Sequence, residues 1–492
     1  MGWPKKVAFT VAAGGLAVGG VLLARALAPA PDAVAVAPST LPVDGPAVAG
    51  RLAQAIRIRT VSGEQRDPAT FDALHAWMVE TWPAIHAATT RETVARHSLL
   101  YTWAGTDPAL PPVVVMAHQD VVPVEAGTEA GWGQPPFSGA IAPCGDRPGD
   151  CVWGRGAMDM KATMVGLFDA AEGLAASGWR PRRTLLFVLG EDEEVSGAGA
   201  RAVVDRLSAR GVRPAWVLDE GLVIADGIVP GLDRPAALVG VAEKGFVSVE
   251  IVARSEGGHS SMPPTGTAAG RVGRAVARLE ARPFALALDG PAERMFASLG
   301  PHMAFGNKLA FANLWLLGGV VEGKLAAKNS TRATLHTTQA VTMLEGSPQD
   351  NVLPQQARAV VNFRIHPRDS VEGVLAHVRD AIDDPDLEVR QRPDSLFSEP
   401  SPVSPSEGAA YDAIAASIRA AVPDAVVAPG LMVGATDSRS FAALTDHIYR
   451  FQPLWLRPGD SERIHGTGER VAVDNLVQVV RFHDAHLRRA GE

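Results

Sequence analysis

A chain of 492 residues has room for two or three domains of roughly 150 residues each, and 47% hydrophobic with 20% charged residues describes a globular protein with a sizeable core. The formal net charge of −8 and the lack of a concentrated Lys/Arg stripe exclude nucleic acid as a natural partner. No short-period repeat or low-complexity run follows the N-terminal stretch.

That stretch is distinctive. Lys5-Lys6 precede an uncharged run from Val7 to Ala24, which ends at Arg25. Its length falls between a signal-peptide core and a spanning helix, and Ala26-Leu-Ala28 and Ala28-Pro-Ala30 offer small-residue cleavage sites. Residues 1–30 are expected to be a signal peptide or a membrane anchor, and the Pro/Ala-rich residues 31–46 a semi-rigid tether. The protein is then exported, periplasmic or extracellular, and meets a membrane only through this segment. Cys144 and Cys151, the only cysteines, flank a loop containing Gly145, Pro148 and Gly149. A disulfide suits the exported compartment, and two cysteines at this spacing lack the companion ligands of a structural zinc site.

Helical patterning marks Ala47 to Arg57 and Thr70 to Ala88. Leu99 to Trp103 and Val113 to Ala117 read as strands, Lys161 to Ala176 as a helix that ends at Ser177-Gly178. A strand at Thr184 to Leu189, a helix at Gly199 to Ala209 and a strand at Ala215 to Leu218 follow. This alternation implies an α/β domain with a mostly parallel sheet flanked by helices. Near Val241 the pattern changes. A strand (Phe246 to Arg254), a helix (Gly266 to Ala281), two strands (Thr331 to Leu344, Ala357 to His366), a helix (Ser370 to Ile382) and a strand (Leu387 to Arg392) give βαββαβ, a ferredoxin-like sandwich. Phe284 to Ser330 reads as a packed loop or short hairpin within it. The first domain resumes with a helix at Glu407 to Ala421, the Gly434-Ala-Thr-Asp437 turn, a strand at Tyr449 to Leu456 and a helix at Val473 to Arg489. The expected division is 47–242 and 396–492 for the first domain, with 243–395 inserted as a lid joined by two hinge crossings.

Three apolar runs stop abruptly at acids and histidine. Val113-Val-Val-Met-Ala is followed by His118-Gln-Asp120, Leu185-Leu-Phe-Val-Leu-Gly by Glu191-Asp-Glu193-Glu194, and Ala215-Trp-Val-Leu218 by Asp219-Glu220. In open α/β sheets ligands sit beyond the carboxyl ends of the strands, so these side chains converge on one crevice. His118, Asp159, Glu194, Asp219 and His465 supply the imidazoles and carboxylates that zinc accepts. Five ligands exceed one tetrahedral ion and suffice for two if a carboxylate bridges, for which Asp159 is the natural candidate. Asp120 fits a carboxylate that orients the His118 imidazole. Glu193 cannot easily chelate beside its neighbour and is better placed as general base for a metal-activated water.

These phrases resemble the dizinc metallopeptidase and aminoacylase family of carboxypeptidase S, glutamate carboxypeptidase and succinyl-diaminopimelate desuccinylase. His118-x-Asp120, Gly154-Arg-Gly-x-x-Asp159-Met-Lys161, Asp192-Glu193-Glu194, Asp219-Glu220-Gly221 and Ile464-His465-Gly466 stand in family order. Gly258-His-Ser-Ser-Met-Pro263, and Asn351-Val-Leu-Pro354 with Arg364, match its lid. The resemblance implies two Zn2+ per subunit, one held by His118, Asp159 and Asp219, the other by Asp159, Glu194 and His465. It implies a cis peptide after Asp159, Glu193 as base and proton shuttle, and His259 polarising the scissile carbonyl, in dimeric members from a neighbouring subunit through the lid. Asn351, Arg364 and Thr436 are expected to bind substrate, with the Arg364 guanidinium holding a terminal carboxylate.

The long lid insertion, the Asp219-Glu220-Gly221 phrase and the N-terminal segment look most like carboxypeptidase S and its secreted relatives that cleave or form N-acyl amino acids. The expected activity is hydrolysis of a peptide or N-acyl amide bond next to a free α-carboxylate. A catalytically silent binding protein of this fold would commonly lack Glu193 or a ligand, and a serine esterase would need a Gly-x-Ser-x-Gly elbow, which is missing here.

Overall fold

The computed structural model describes residues 16–492 apart from 18 and 31–33. The expected N-terminal apolar run therefore lies largely outside the described residues, although residues 19–27 are helical. The expected tether is docked along its later part: the Ser39 amide donates to the Ala420 carbonyl, and Arg481 Nε donates to that of Leu41.

Eight strands form the large sheet, in the order Thr90–Val94, Ser98–Trp103, Leu185–Gly190, Val113–His118, Trp216–Ala225, Ile448–Leu456, Ala236–Glu243, Val426–Met432. The four in the middle are parallel, as the strand–helix alternation predicts, but both edges reverse direction, so the sheet is mixed. Val113–His118 shows why the apolar runs are uninterrupted. Val113, Val115 and Ala117 pack under helices Gly45–Arg57, Ala162–Ala176 and Val473–Ala490. Val114 and Met116 pack on the opposite face with helix Ala198–Ala209 and the turn at Asp437–Ala443. A strand covered on both faces has no position for a polar residue until it leaves the sheet.

Local chemistry fixes the helix ends. Asp44 and Asp67 accept backbone N–H groups at the starts of Gly45–Arg57 and Pro68–Thr81. Pro83 opens a separate helix, Pro83–Ala88, so the single helix expected over 70–88 is two. Lys161 is fully buried and donates to the Ala55 and Ile58 carbonyls at the end of the first of these helices, where burial lowers its ammonium pKa to about 7.

The inserted sheet has four antiparallel strands in the order Thr338–Glu345, Gln356–Ile365, Gly245–Arg254, Glu388–Gln391, the ferredoxin-like arrangement. Val247, Val249, Ile251, Val361 and Phe363 face its two helices and build a second core. The alternate residues Phe246, Ser248, Asn362 and Arg364 share the opposite face.

The stretch at 284–330 departs from the expected loop or hairpin. It forms helices Gly290–Leu299, Phe305–Phe311 and Leu314–Ala326, followed by Asn329–Arg332, and the next strand starts only at Thr338. Gly318-Gly319 reads as a break, but glycines cost a helix only about 1 kcal/mol each and do not end one flanked by Leu and Val.

Candidate metal centre and active site

The cradle begins at the end of strand Val113–His118. The buried His118 ring directs Nδ1 at the Asp120 carbonyl (2.9 Å) and Nε2 at Asp159 Oδ1 (2.9 Å). Asp159 Oδ2 lies 3.1 Å from His465 Nε2, which is also 3.1 Å from Glu194 Oε2. Asp159 therefore presents one oxygen to each imidazole. The peptide bond that follows it is cis.

The third acid facing His118 is Glu220, with Oε1 3.5 Å from Nε2. Asp219, the expected ligand, turns away, and its Oδ2 accepts the Ser438 amide at 2.9 Å. A bulge explains the exchange. The register with Ile448–Leu456 jumps from Asp219–Arg450 to Leu222–Phe451, which leaves Glu220 and Gly221 outside the ladder. Gly221 sits at φ 140°, and a Cβ there would come within 2.8 Å of Arg450 Cβ. Only glycine fits this position, and Glu220 is ejected towards the histidine.

Two donor groups result, His118–Asp159–Glu220 and Asp159–Glu194–His465, each with ligand atoms within 4.8 Å of one another. They share Asp159. The donor set is oxygen and imidazole nitrogen without thiolate, which suits zinc. Glu194 Oε1 is buried with no hydrogen-bond partner, a lone pair that a cation would satisfy. The electrostatics agree. Asp159 and then Glu194 push the His465 ring up to about 10, and burial pushes Glu220 up to about 8. Burial and the charge of Glu220 raise Glu193 well above the usual carboxylate range. So many buried acids around one point call for positive charge.

Asp120 does more than orient a ring. Its two carboxylate oxygens accept the amides of Glu193 and Glu194 at 3.2 Å each, so it fixes the loop that carries both acids. Asp192 accepts the amides of Ala198 and Gly199 and starts helix Ala198–Ala209.

Sequence reasoning missed the residue that joins the remaining two loops. Glu469 is fully buried and accepts the amides of Gly156 (3.0 Å), Met158 (2.8 Å) and Asp159 (3.3 Å) as well as Arg155 Nη1 (2.7 Å). Arg155 in turn donates to the His465 and Gly466 carbonyls. One ion pair thus positions Asp159 and His465 together. A glutamate in an irregular loop before strand Arg470–Ala472 carries no motif, and only the preceding Gly154-Arg-Gly phrase pointed to its partner.

Thr436, expected to bind substrate, lies inside the protein. It is fully buried, with its amide and hydroxyl both donating to Glu243 Oε2, which also accepts Arg450 Nε at 2.8 Å. Thr436 pins the turn that places Ser438 on Asp219. The half-buried Arg439 donates Nε to the Thr436 carbonyl at 3.0 Å, and its guanidinium lies 5.5 Å from the Phe246 ring. Arg364 lies 5.6 Å from the same ring. Burial and the charge of Arg439 lower the Arg364 pKa, while Arg439 itself has Glu243 Oε1 at 3.8 Å.

His259 and Asn351 stand together at a short ladder in which Gly258–His259 pairs with Val352–Leu353. The Ser260 amide donates to the Asn351 carbonyl. His259 is exposed, and among the described residues its ring bonds only to Ser261. The structure brings neither residue to the acid cradle. Cys144 and Cys151 are joined, with Cα atoms 5.0 Å apart.

The model of peptidase family M20/M25/M40 matches residues 114–489. The N-fatty-acyl-amino acid synthase/hydrolase PM20D1.1 of Danio rerio is 38% identical over 441 residues, 87% of this chain and 83% of the relative. Carboxypeptidase S of Saccharomyces cerevisiae is 32% identical, over 88% of this chain and 82% of its own length. Among solved structures, the M20 family metallo-carboxypeptidase Sso-CP2 from Sulfolobus solfataricus superposes with a TM-score of 0.65 at 14% identity, covering 90% of this chain and 99% of that one.

Proposed function

The chain belongs to peptidase family M20/M25/M40 and is a metal-dependent hydrolase, and from this premise we propose that it cleaves an N-acyl or peptide amide bond beside a free α-carboxylate. The observation that carries the reading is the pair of donor groups sharing Asp159, with Glu193 one residue from the ligand Glu194. His118, Asp159 and Glu220 would hold one zinc, and Asp159, Glu194 and His465 the other. What zinc supplies when bound is polarisation of the scissile carbonyl and a lower pKa for water. Glu193 takes a proton from the attacking water and returns it to the leaving amine. Arg364, with Arg439 beside the same Phe246 ring, supplies positive charge for the substrate carboxylate. His259 reaches a carbonyl oxygen only after movement of the inserted domain or from a second copy, which makes lid closure and a lid-mediated homodimer part of this proposal.

Export is also part of the reading. The Cys144–Cys151 bridge fits an oxidising compartment, and residues 19–27 form an apolar helix behind a basic N-terminus.

The test is turnover of N-fatty-acyl amino acids and dipeptides by the zinc-loaded protein, read by mass spectrometry, alongside the same compounds with the carboxylate amidated. The reading expects free acids to be cleaved and amides to be spared. Equal cleavage of both would remove the carboxylate from the proposal, and no cleavage of either with two zincs bound would remove the activity.

A further inference from the structure

The helix pair Phe305–Phe311 and Leu314–Ala326 has no place in the chemistry above. The second of these, Leu-Trp-Leu-Leu-Gly-Gly-Val-Val-Glu-Gly-Lys-Leu-Ala, is apolar around most of its circumference, and such a helix belongs in a protein core or in lipid. Here Val321 is its only buried residue, while Trp315 is 59%, Leu316 50% and Val320 61% exposed. Helix Phe305–Phe311 has no buried residue, and Phe305 is 53% exposed. Helix Gly290–Leu299, by contrast, seals Phe296 and Leu299 against Val426 and Ala428 at the sheet edge. The insertion is therefore anchored at its start and presents its apolar side chains outwards. No single described helix is long and apolar enough to cross a membrane, and this pair bends by 116°.

Two further observations say what covers the patch. At the bend, buried Asn313 donates Nδ2 to the Leu22 carbonyl of the N-terminal helix at 3.1 Å. That helix exposes Val21, Leu23 and Leu27, so the segment expected at a membrane is fastened at Leu22 to the bend of the exposed apolar pair. Charge is the second. Residues 294–332 carry Arg294, Lys308, Lys324, Lys328 and Arg332 against a single acid, Glu322, in a chain of net charge −8. Among the described residues, none of these five bases has a carboxylate within ion-pair distance (4.0 Å). Exposed Trp and Leu flanked by basic residues are the composition of a segment lying in a lipid interface.

We propose that helices Phe305–Phe311 and Leu314–Ala326 dock in the plane of an anionic bilayer, next to the N-terminal helix. The enzyme is then held at the bilayer by two contacts and in one orientation.

The test uses the full chain with phosphatidylcholine/phosphatidylglycerol vesicles whose acyl chains carry bromine, a quencher of tryptophan. Wild type should lose part of its emission, and W315F should lose clearly less, the difference being the signal of Trp315. L316D/V320D should bind the vesicles about tenfold more weakly, and omission of phosphatidylglycerol should weaken wild type as well. Unchanged zinc content and thermal unfolding establish that the variants are folded, and W315F decides the matter alone if the Asp pair does not fold. Equal quenching of wild type and W315F would overturn the proposal, leaving the N-terminal segment as the only membrane contact or the patch covered by the chain itself. A second copy on this face would show as a change in sedimentation of L316D/V320D without lipid while its vesicle binding stays at the wild-type level, which would also overturn it.

Discussion

Set beside each other, the acid-and-imidazole cradle of the large sheet and the His259, Asn351 and Arg364 face of the inserted domain differ in how their side chains are held. In the cradle every acting group has a buried partner. Asp120 holds the loop of Glu193 and Glu194, Glu469 holds Asp159, and Arg155 holds the His465 loop. On the lid, His259 is exposed with a serine for company, and Arg364 lies beside an aromatic ring without a carboxylate. The cradle is assembled by folding, before any substrate arrives. Among the described residues the lid face has no such buried partners, and the proposed function leaves its completion to substrate. Substitutions in the first should therefore change metal content or chemistry, and those in the second should change kcat/KM at constant metal.

The largest effect is expected from Asp159→Asn. One carboxylate faces both imidazoles, so both metals should fall together in elemental analysis and turnover should vanish. Glu193→Gln should keep both metals and lose turnover by about 100- to 10,000-fold, the usual worth of a general base. Two full zincs in Asp159→Asn would break the bridging assignment. Glu469→Ala sharpens the same side. It leaves Arg155 buried without its partner, and breaking such a pair costs about 3–5 kcal/mol, to be read as a lower urea midpoint together with weaker metal binding.

Glu220→Gln should remove one of the two metals, while Asp219→Asn should keep both and loosen only the Ser438 turn. This pair also marks where the sequence runs out. The apolar strands, the acids that end them and the ferredoxin-like order are legible because a doubly covered strand and a half-covered one leave different periodicities. Which of two adjacent acids points at the metals is set by a bulge of two residues, and a one-residue change of phase exchanges the faces of a strand. Gly221 is the visible trace of that bulge, but a glycine after two acids reads equally well as an ordinary turn. Glu469, and the contact of Thr436 with Glu243, were illegible for another reason: the partners lie 314 and 193 residues apart and only the fold brings them together. The helices at 290–332 were misread because their apolar side chains follow no core-facing period.

On the lid side, Arg364→Ala should lower kcat/KM by about 10- to 1000-fold for carboxylate substrates, on the scale of a lost charged contact, with zinc content unchanged. Lysine should rescue poorly, since a point charge does not reproduce the guanidinium fork. His259→Ala should act through kcat by about 100-fold or more if it meets the developing oxyanion. Loss of metal in either variant would erase the distinction between the two regions.

The smallest effect should come from the Cys144–Cys151 bridge, and it tests whether the cradle depends on anything outside itself. The bridge spans seven residues between strands Ala140–Pro143 and Asp150–Trp153, and the latter leads into Arg155 and Asp159. A loop this short restricts the unfolded chain little, so the bridge contributes about 2.4 kcal/mol, near the low end for disulfides. The folded loop has other fastenings. Asp146 pairs with Arg463 and Arg470, and Arg147 pairs with Asp460. Burial opposes ionisation of Asp146, yet Arg147, Arg463 and Arg470 hold its carboxyl below the usual carboxylate range, so these contacts persist at neutral pH. Further in, Glu469 fixes Gly156 to Asp159 without reference to either sulfur. Reduction, or the double serine variant, should therefore lower the unfolding temperature by a few degrees and leave zinc content and kcat within about twofold of wild type. A parallel loss of zinc on reduction would mean that the bridge, and not the Glu469–Arg155 pair alone, sets the position of Asp159.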